Sequence, residues 1–125
     1  MAISFCANQN YQQQAMIKQR HDEIYAHELK HKNAAGSLGG AIVIEKDANG
    51  VPTGGHVDIL MPTLNKQDPD KTIKHADTVI KAAMAPNDPS DQDYRVAAKA
   101  KAIKAEAQMY KNNNSSAGQK LNIMA

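Results

Sequence analysis
The chain has 125 residues, 42% of them hydrophobic, and 15 Lys+Arg against 13 Asp+Glu give a formal charge of +2. That length suits one domain with a real core and is too short for two. So mild a charge argues against nucleic acid, whose binders show a strongly basic face, and no stretch approaches the ~18 apolar residues of a membrane span.

With one Phe, four Tyr and no Trp, packing falls to Ala, Ile, Val, Leu and Met, a composition suited to closely approaching helices. No basic n-region followed by an apolar run is visible at the N-terminus, so the default expectation is a cytoplasmic protein without a signal peptide. Residues 1–9 are short, mixed and uncommitted. Cys6, the single cysteine, allows no intrachain disulfide and reads as a free thiol.

A long helix is predicted over 10–32. Gln12, Gln13, Gln14, Ala15, Met16, Lys18 and Gln19 are good helix formers, and neither Gly nor Pro intervenes. Ile17, Ile24 and Leu29 mark its buried side; Asn33 and Gly36 end it. After the Gly39-Gly40 turn, Ala41–Glu45 is a short β-branched strand. Asn49-Gly50 signals a hairpin, and Val51–Leu60 returns, interrupted by Pro52 and the Gly54-Gly55 pair. Paired glycines inside a strand indicate a bulge or a close approach to another element.

A second helix starts at Asp68-Pro69, with Ile73, Ala76, Ile80, Ala83 and Met84 at helical spacing, and Pro86 closes it. A third runs from Ser90 to Tyr110, packing through Tyr94, Ala97, Ala98, Ala102, Ala105 and Met109. Lys99, Lys101 and Lys104 on it read as a solvated face. Residues 111–125, polar and of low complexity, are expected to be a disordered tail, with Leu121, Ile123 and Met124 docking weakly. The plan is an α+β domain over 10–110: helix, β-hairpin, helix, helix.

The chemistry concentrates at His27-Glu28-Leu29-Lys30-His31, an H-E-x-x-H in the last turns of the first helix. Positions i and i+4 share a face, so His27 and His31 can offer two imidazoles to one metal ion. Glu28 lies about 100° around the axis, placed to act as general base toward a metal-activated water. The plain alternative is a helix with two surface histidines and a solvated Glu.

A catalytic zinc takes three protein ligands. The third is sought among His56, Asp58, Glu45, His75 and His21. His21 falls off the ligand face, and His75 stands beside Lys74. His56 follows Gly54-Gly55, where the backbone is free to approach the first helix. It points to the same side as Asp58, so that one can ligate while the other orients an imidazole.

Four stretches resemble the bacterial SprA-related family, assigned by its motif as metalloprotease catalytic domains. They are Ile17–Glu28 leading into the motif, Gly54-Gly55-His56-Val57, Ala82–Pro86, and Asp88–Ala98. Together they span about residues 17–109. The resemblance implies a small zincin-like, zinc-dependent peptidase domain with a peptide or protein substrate. The family pattern has Gly-Glu-Val where this chain has Gly55-His56-Val57, and that Glu looks like the family's third ligand. His and Glu both bind zinc. The expectation is therefore one Zn2+ held by His27, His31 and His56, with Glu28 as the base. The competing expectation is a metal-binding or catalytically silent zincin-like interaction module.

Overall fold
The computed structural model describes the backbone over residues 2–124 and the side chains over 10–114. Two long helices begin and end the chain: α1 (Ala2–Ala35) and α3 (Asp91–Met124). Between them lie a 3-10 turn (Gly36–Leu38), an antiparallel hairpin of β1 (Gly39–Lys46) and β2 (Pro52–Ile59), and α2 (Pro69–Ala83). Three helices and one two-stranded sheet make the α+β class expected from the pattern.

Both long helices overrun their expected bounds. α1 begins before residue 10, and α3 continues through the stretch read as a tail. Neither Gly nor Pro occurs in 2–35 or in 91–117, and Gly118 alone costs a helix only about 1 kcal/mol, so nothing local stops them. The Cys6 thiol and the docking of Leu121, Ile123 and Met124 lie outside the residues whose side chains are described. None of the helices is long and apolar enough to cross a membrane, among the described residues.

The buried stripe of α1 steps through Ile24, Glu28, His31 and Ala35. Its three most buried members are Glu28, His31 and Ala35, at 7%, 4% and 3% exposure. Two polar groups occupy places where a helix ordinarily buries apolar ones. Gly36, at φ +58°, ends α1 in the left-handed conformation that glycine adopts without steric penalty.

The hairpin closes through a turn over Asp47–Gly50, in which the Gly50 N–H donates to Asp47 O at 3.0 Å. Asp47 Oδ1 also accepts from the N–H groups of Asn49 and Val51, at 2.8 and 3.0 Å. Only Gly50, at φ +79°, is left-handed there. Asn49-Gly50 is therefore not the central pair of a two-residue turn; Gly50 ends a longer one. The strands pair Ile42 with Val57, Val43 with His56 and Ile44 with Gly55. Ile42, Ile44, Gly55, Val57 and Ile59 form the more buried face, against α1. Val43, Glu45, His56 and Asp58 form the exposed one.

Asp68 caps α2 by accepting from the Lys71 N–H, and Pro69 occupies the first helical position. Buried Thr72 fastens the preceding linker: its hydroxyl donates to Thr63 O at 3.0 Å and accepts from the Asn65 N–H at 2.8 Å. The expected packing faces of α2 and α3 are both rotated from those observed. α2 buries Thr72, Ala76, Val79, Ala82 and Ala83; α3 buries Ala97, Ala100 and Ala107. Tyr94 and Met109, expected inside, are 54% and 65% exposed. Small side chains let the two helix backbones approach, whereas a ring or thioether would hold them apart.

The molecule thus has two packed halves, α1 with the hairpin and α2 with α3, joined where α1 meets α2. A cleft of about 440 Å³ is walled by both, from Glu28 and His31 of α1 and residues 55–59 of β2 to Asp93 and Val96 of α3.

Candidate metal centre
His27 and His31 stand one helical turn apart, and the geometry expected of that spacing is present. Their Nε2 atoms face each other at 3.2 Å, with the rings edge-on at 73°. His31 is fixed from behind. Its Nδ1 donates to Ala82 O, in the last turn of α2, at 2.7 Å. A neutral imidazole that donates from Nδ1 carries its lone pair on Nε2, so the bond sets both the tautomer and the aim of the ring. His27 is held more loosely, with Nδ1 3.7 Å from the carboxylate of exposed Asp88.

Ligand atoms of His27, Glu28 and His31 lie within 4.8 Å of one another, a grouping that could hold a metal ion. Burial pushes the Glu28 carboxyl up from the ordinary carboxylate range. The His31 and His27 imidazoles pull it back, Asp93 adds to the rise, and His56 opposes it. Glu28 is thus a buried acid whose proton affinity is set chiefly by desolvation, beside two imidazoles and on the wall of the cleft.

The close approach expected of Gly54-Gly55 is made by the second glycine. A Cβ on Gly55 would meet Ile24 Cγ2 at 2.7 Å and Glu28 Cγ at 3.1 Å, so β2 crosses α1 directly over the general-base candidate. His56, expected as the third ligand, is not brought into the grouping. It lies on the exposed face of the hairpin, its Nδ1 donating to Glu45 Oε1 at 2.9 Å and its Nε2 4.0 Å from Asp58. Alternation explains the outcome: Gly55 and Val57 face α1, so the residue between them faces away. His56 still reaches the cleft wall, because β2 borders it.

The remaining histidines are accounted for elsewhere. His75 Nε2 donates to Leu60 O at 2.7 Å, and His21 stacks on Tyr25 with ring centroids 6.1 Å apart.

Sequence reasoning missed Asp93. Its side chain is 15% exposed, with Oδ1 3.1 Å from His31 Nε2 and Oδ2 3.3 Å from His27 Nε2. It also belongs to a capping box at the start of α3. The Ser90 N–H donates to Asp93 Oδ2 at 2.9 Å, and the Asp93 N–H donates to Ser90 Oγ at 3.1 Å. The spacing Ser90-x-x-Asp93 announces that cap and nothing more.

The donor set fits a cation. Two imidazole nitrogens and a carboxylate converge, and the lone pair of His31 Nε2, fixed by Ala82, faces a carboxylate oxygen. Such atoms repel unless positive charge lies among them.

No curated protein and no solved structure matches the chain. The family model of the SprA-related family matches residues 4–118, all but the two ends, and covers the H-E-x-x-H motif, the hairpin, α2 and most of α3. The chain belongs to the SprA-related family.

Proposed function
We propose that the chain is a zincin-like, zinc-dependent hydrolase of peptide bonds, in which His27 and His31 hold the ion and Glu28 is the general base. The observation that supports this reading is the pair of convergent imidazole nitrogens, 3.2 Å apart, beside Glu28, a residue only 7% exposed. Zinc, when bound, supplies Lewis acidity toward a substrate carbonyl and lowers the pKa of water in the site.

The chain's own residues do the rest. Ala82 O holds His31 in the tautomer whose Nε2 can ligate. Glu28 leaves the helix one position after His27, close to the ligands without standing on the axis they share. Burial raises its affinity for a proton above that of an ordinary carboxylate. It can take a proton from water on the cleft side and return it to the leaving amine. The cleft, about 440 Å³, has room for a short peptide segment, and β2 supplies one of its walls.

Elemental analysis of the purified chain and cleavage of a peptide library test the reading. Glu28→Gln is expected to retain zinc and lose turnover by about 10²–10⁴-fold. If it hydrolysed peptides at the wild-type rate, the assignment of the base would be wrong. Bound zinc with no cleavage by the wild type would favour a metal-binding interaction module instead.

A further inference from the structure
We propose that Asp93, not His56, is the third protein ligand of the metal centre. The inference deepens the zinc reading above and rests on it. Three contacts link the three side chains, with one carboxylate oxygen turned to each imidazole: His27 Nε2 to His31 Nε2 at 3.2 Å, His31 Nε2 to Asp93 Oδ1 at 3.1 Å, and His27 Nε2 to Asp93 Oδ2 at 3.3 Å. Ligand atoms roughly 2.0–2.1 Å from a tetrahedral zinc stand about 3.3–3.4 Å from one another. Each of the three pairwise separations is close to that spacing.

Two further features separate Asp93 from an acid that merely caps a helix. A capping acid needs one oxygen toward the Ser90 N–H and leaves the other to solvent, yet this carboxylate is largely buried and turns an oxygen to each imidazole. Its orientation is also reinforced as a ligand's should be. Ser90 fixes Asp93 while Ala82 O fixes His31, so the partners of both ligands come from the last turn of α2 and the residue just before α3. His56 has no such place, with its ring on Glu45 and its side chain 45% exposed. A His27-His31-Asp93 set leaves Glu28 outside the ligands, where a base is needed.

Zinc titration of the full chain against a chromophoric chelator tests this, with circular dichroism as the control for folding. Asp93→Asn keeps an oxygen for the Ser90 N–H and removes the charge. It is expected to weaken zinc binding by more than about 100-fold, beyond what loss of an outer-shell partner causes. His56→Ala and Glu28→Gln are expected to stay within about tenfold of the wild type, short of that outer-shell range.

Wild-type affinity in Asp93→Asn, or loss of zinc in His56→Ala, would overturn the assignment and leave the metal reading standing. A wild type that takes up no zinc would bring down both. Should Asp93→Asn fail to fold, proton NMR of the cobalt(II)-loaded wild type decides the question. Two exchangeable, hyperfine-shifted imidazole N–H signals support His27 and His31 with Asp93, and three mean that His56 ligates.

Discussion
Gly55 sets how near the hairpin comes to Glu28, and its neighbours make the requirement measurable. A methyl group there would stand 2.7 Å from Ile24 Cγ2, 3.0 Å from Val43 O and 3.1 Å from Glu28 Cγ. Val43 O is backbone and Ile24 belongs to a long helix, so neither yields cheaply. At Gly54 the same methyl meets only Glu45 Oε2, at 3.9 Å. Gly55→Ala is therefore expected to cost about 1–3 kcal/mol, as overpacking does, and to lower any activity that depends on Glu28. Gly54→Ala should stay within about 0.5 kcal/mol of the wild type. Urea denaturation of the two variants checks this; equal losses would mean that β2 does not approach α1 as described. At this scale the local half of the site was legible. His27, Glu28 and His31 are fixed relative to one another by helical periodicity alone. Asp93 was not, because it follows His27 by 66 residues and only the packing of α3 brings it back. The outward turn of His56 is itself legible in the pattern: Val57 and Ile59 mark the inward face of β2, and alternation then points His56 the other way.

Among the elements, helix existence was readable and helix facing was not. α2 and α3 announce themselves by Pro69, by the Ser90-x-x-Asp93 box and by long runs without Gly or Pro. Their buried faces are written mainly in alanine, which also occurs on the exposed faces at Ala98, Ala102 and Ala105. The larger residues at helical spacing, Tyr94 and Met109, mark the wrong face, because solvent accommodates both. The end of α1 was clearer. Gly36 is left-handed, with nothing within 4 Å of where its Cβ would lie, so replacing it costs backbone strain and no steric clash. Gly36→Ala is expected to destabilise the chain by about 1–2 kcal/mol, and Gly36→Asn by less, because Asn tolerates that conformation better. Thermal melts of the pair provide the check. An Ala variant as stable as the wild type would show that α1 ends in some other way.

At the level of the whole molecule, the candidate metal site lies where the two halves meet. α3 packs mainly on α2, and among the described residues Asp93 facing His27 and His31 is a polar link between the first helix and the last. An ion held among them would bind the native arrangement and have no comparable site in the unfolded chain. Its binding free energy then adds to stability. With free zinc at about 100 times Kd, the gain is about 2.7 kcal/mol. For a chain of this length that corresponds to a rise in Tm on the order of 10 °C. Chelation should reverse it, and hydrogen exchange should report the change unevenly. Amides around His27–Ala35 and in the first turns of α3 are expected to lose the most protection. The hairpin turn at Asp47–Gly50, held by its own Asp47 bonds, should change little. A Tm indifferent to zinc and chelator would show that no ion joins the halves. A uniform loss of protection would show that zinc stabilises the fold from some other place.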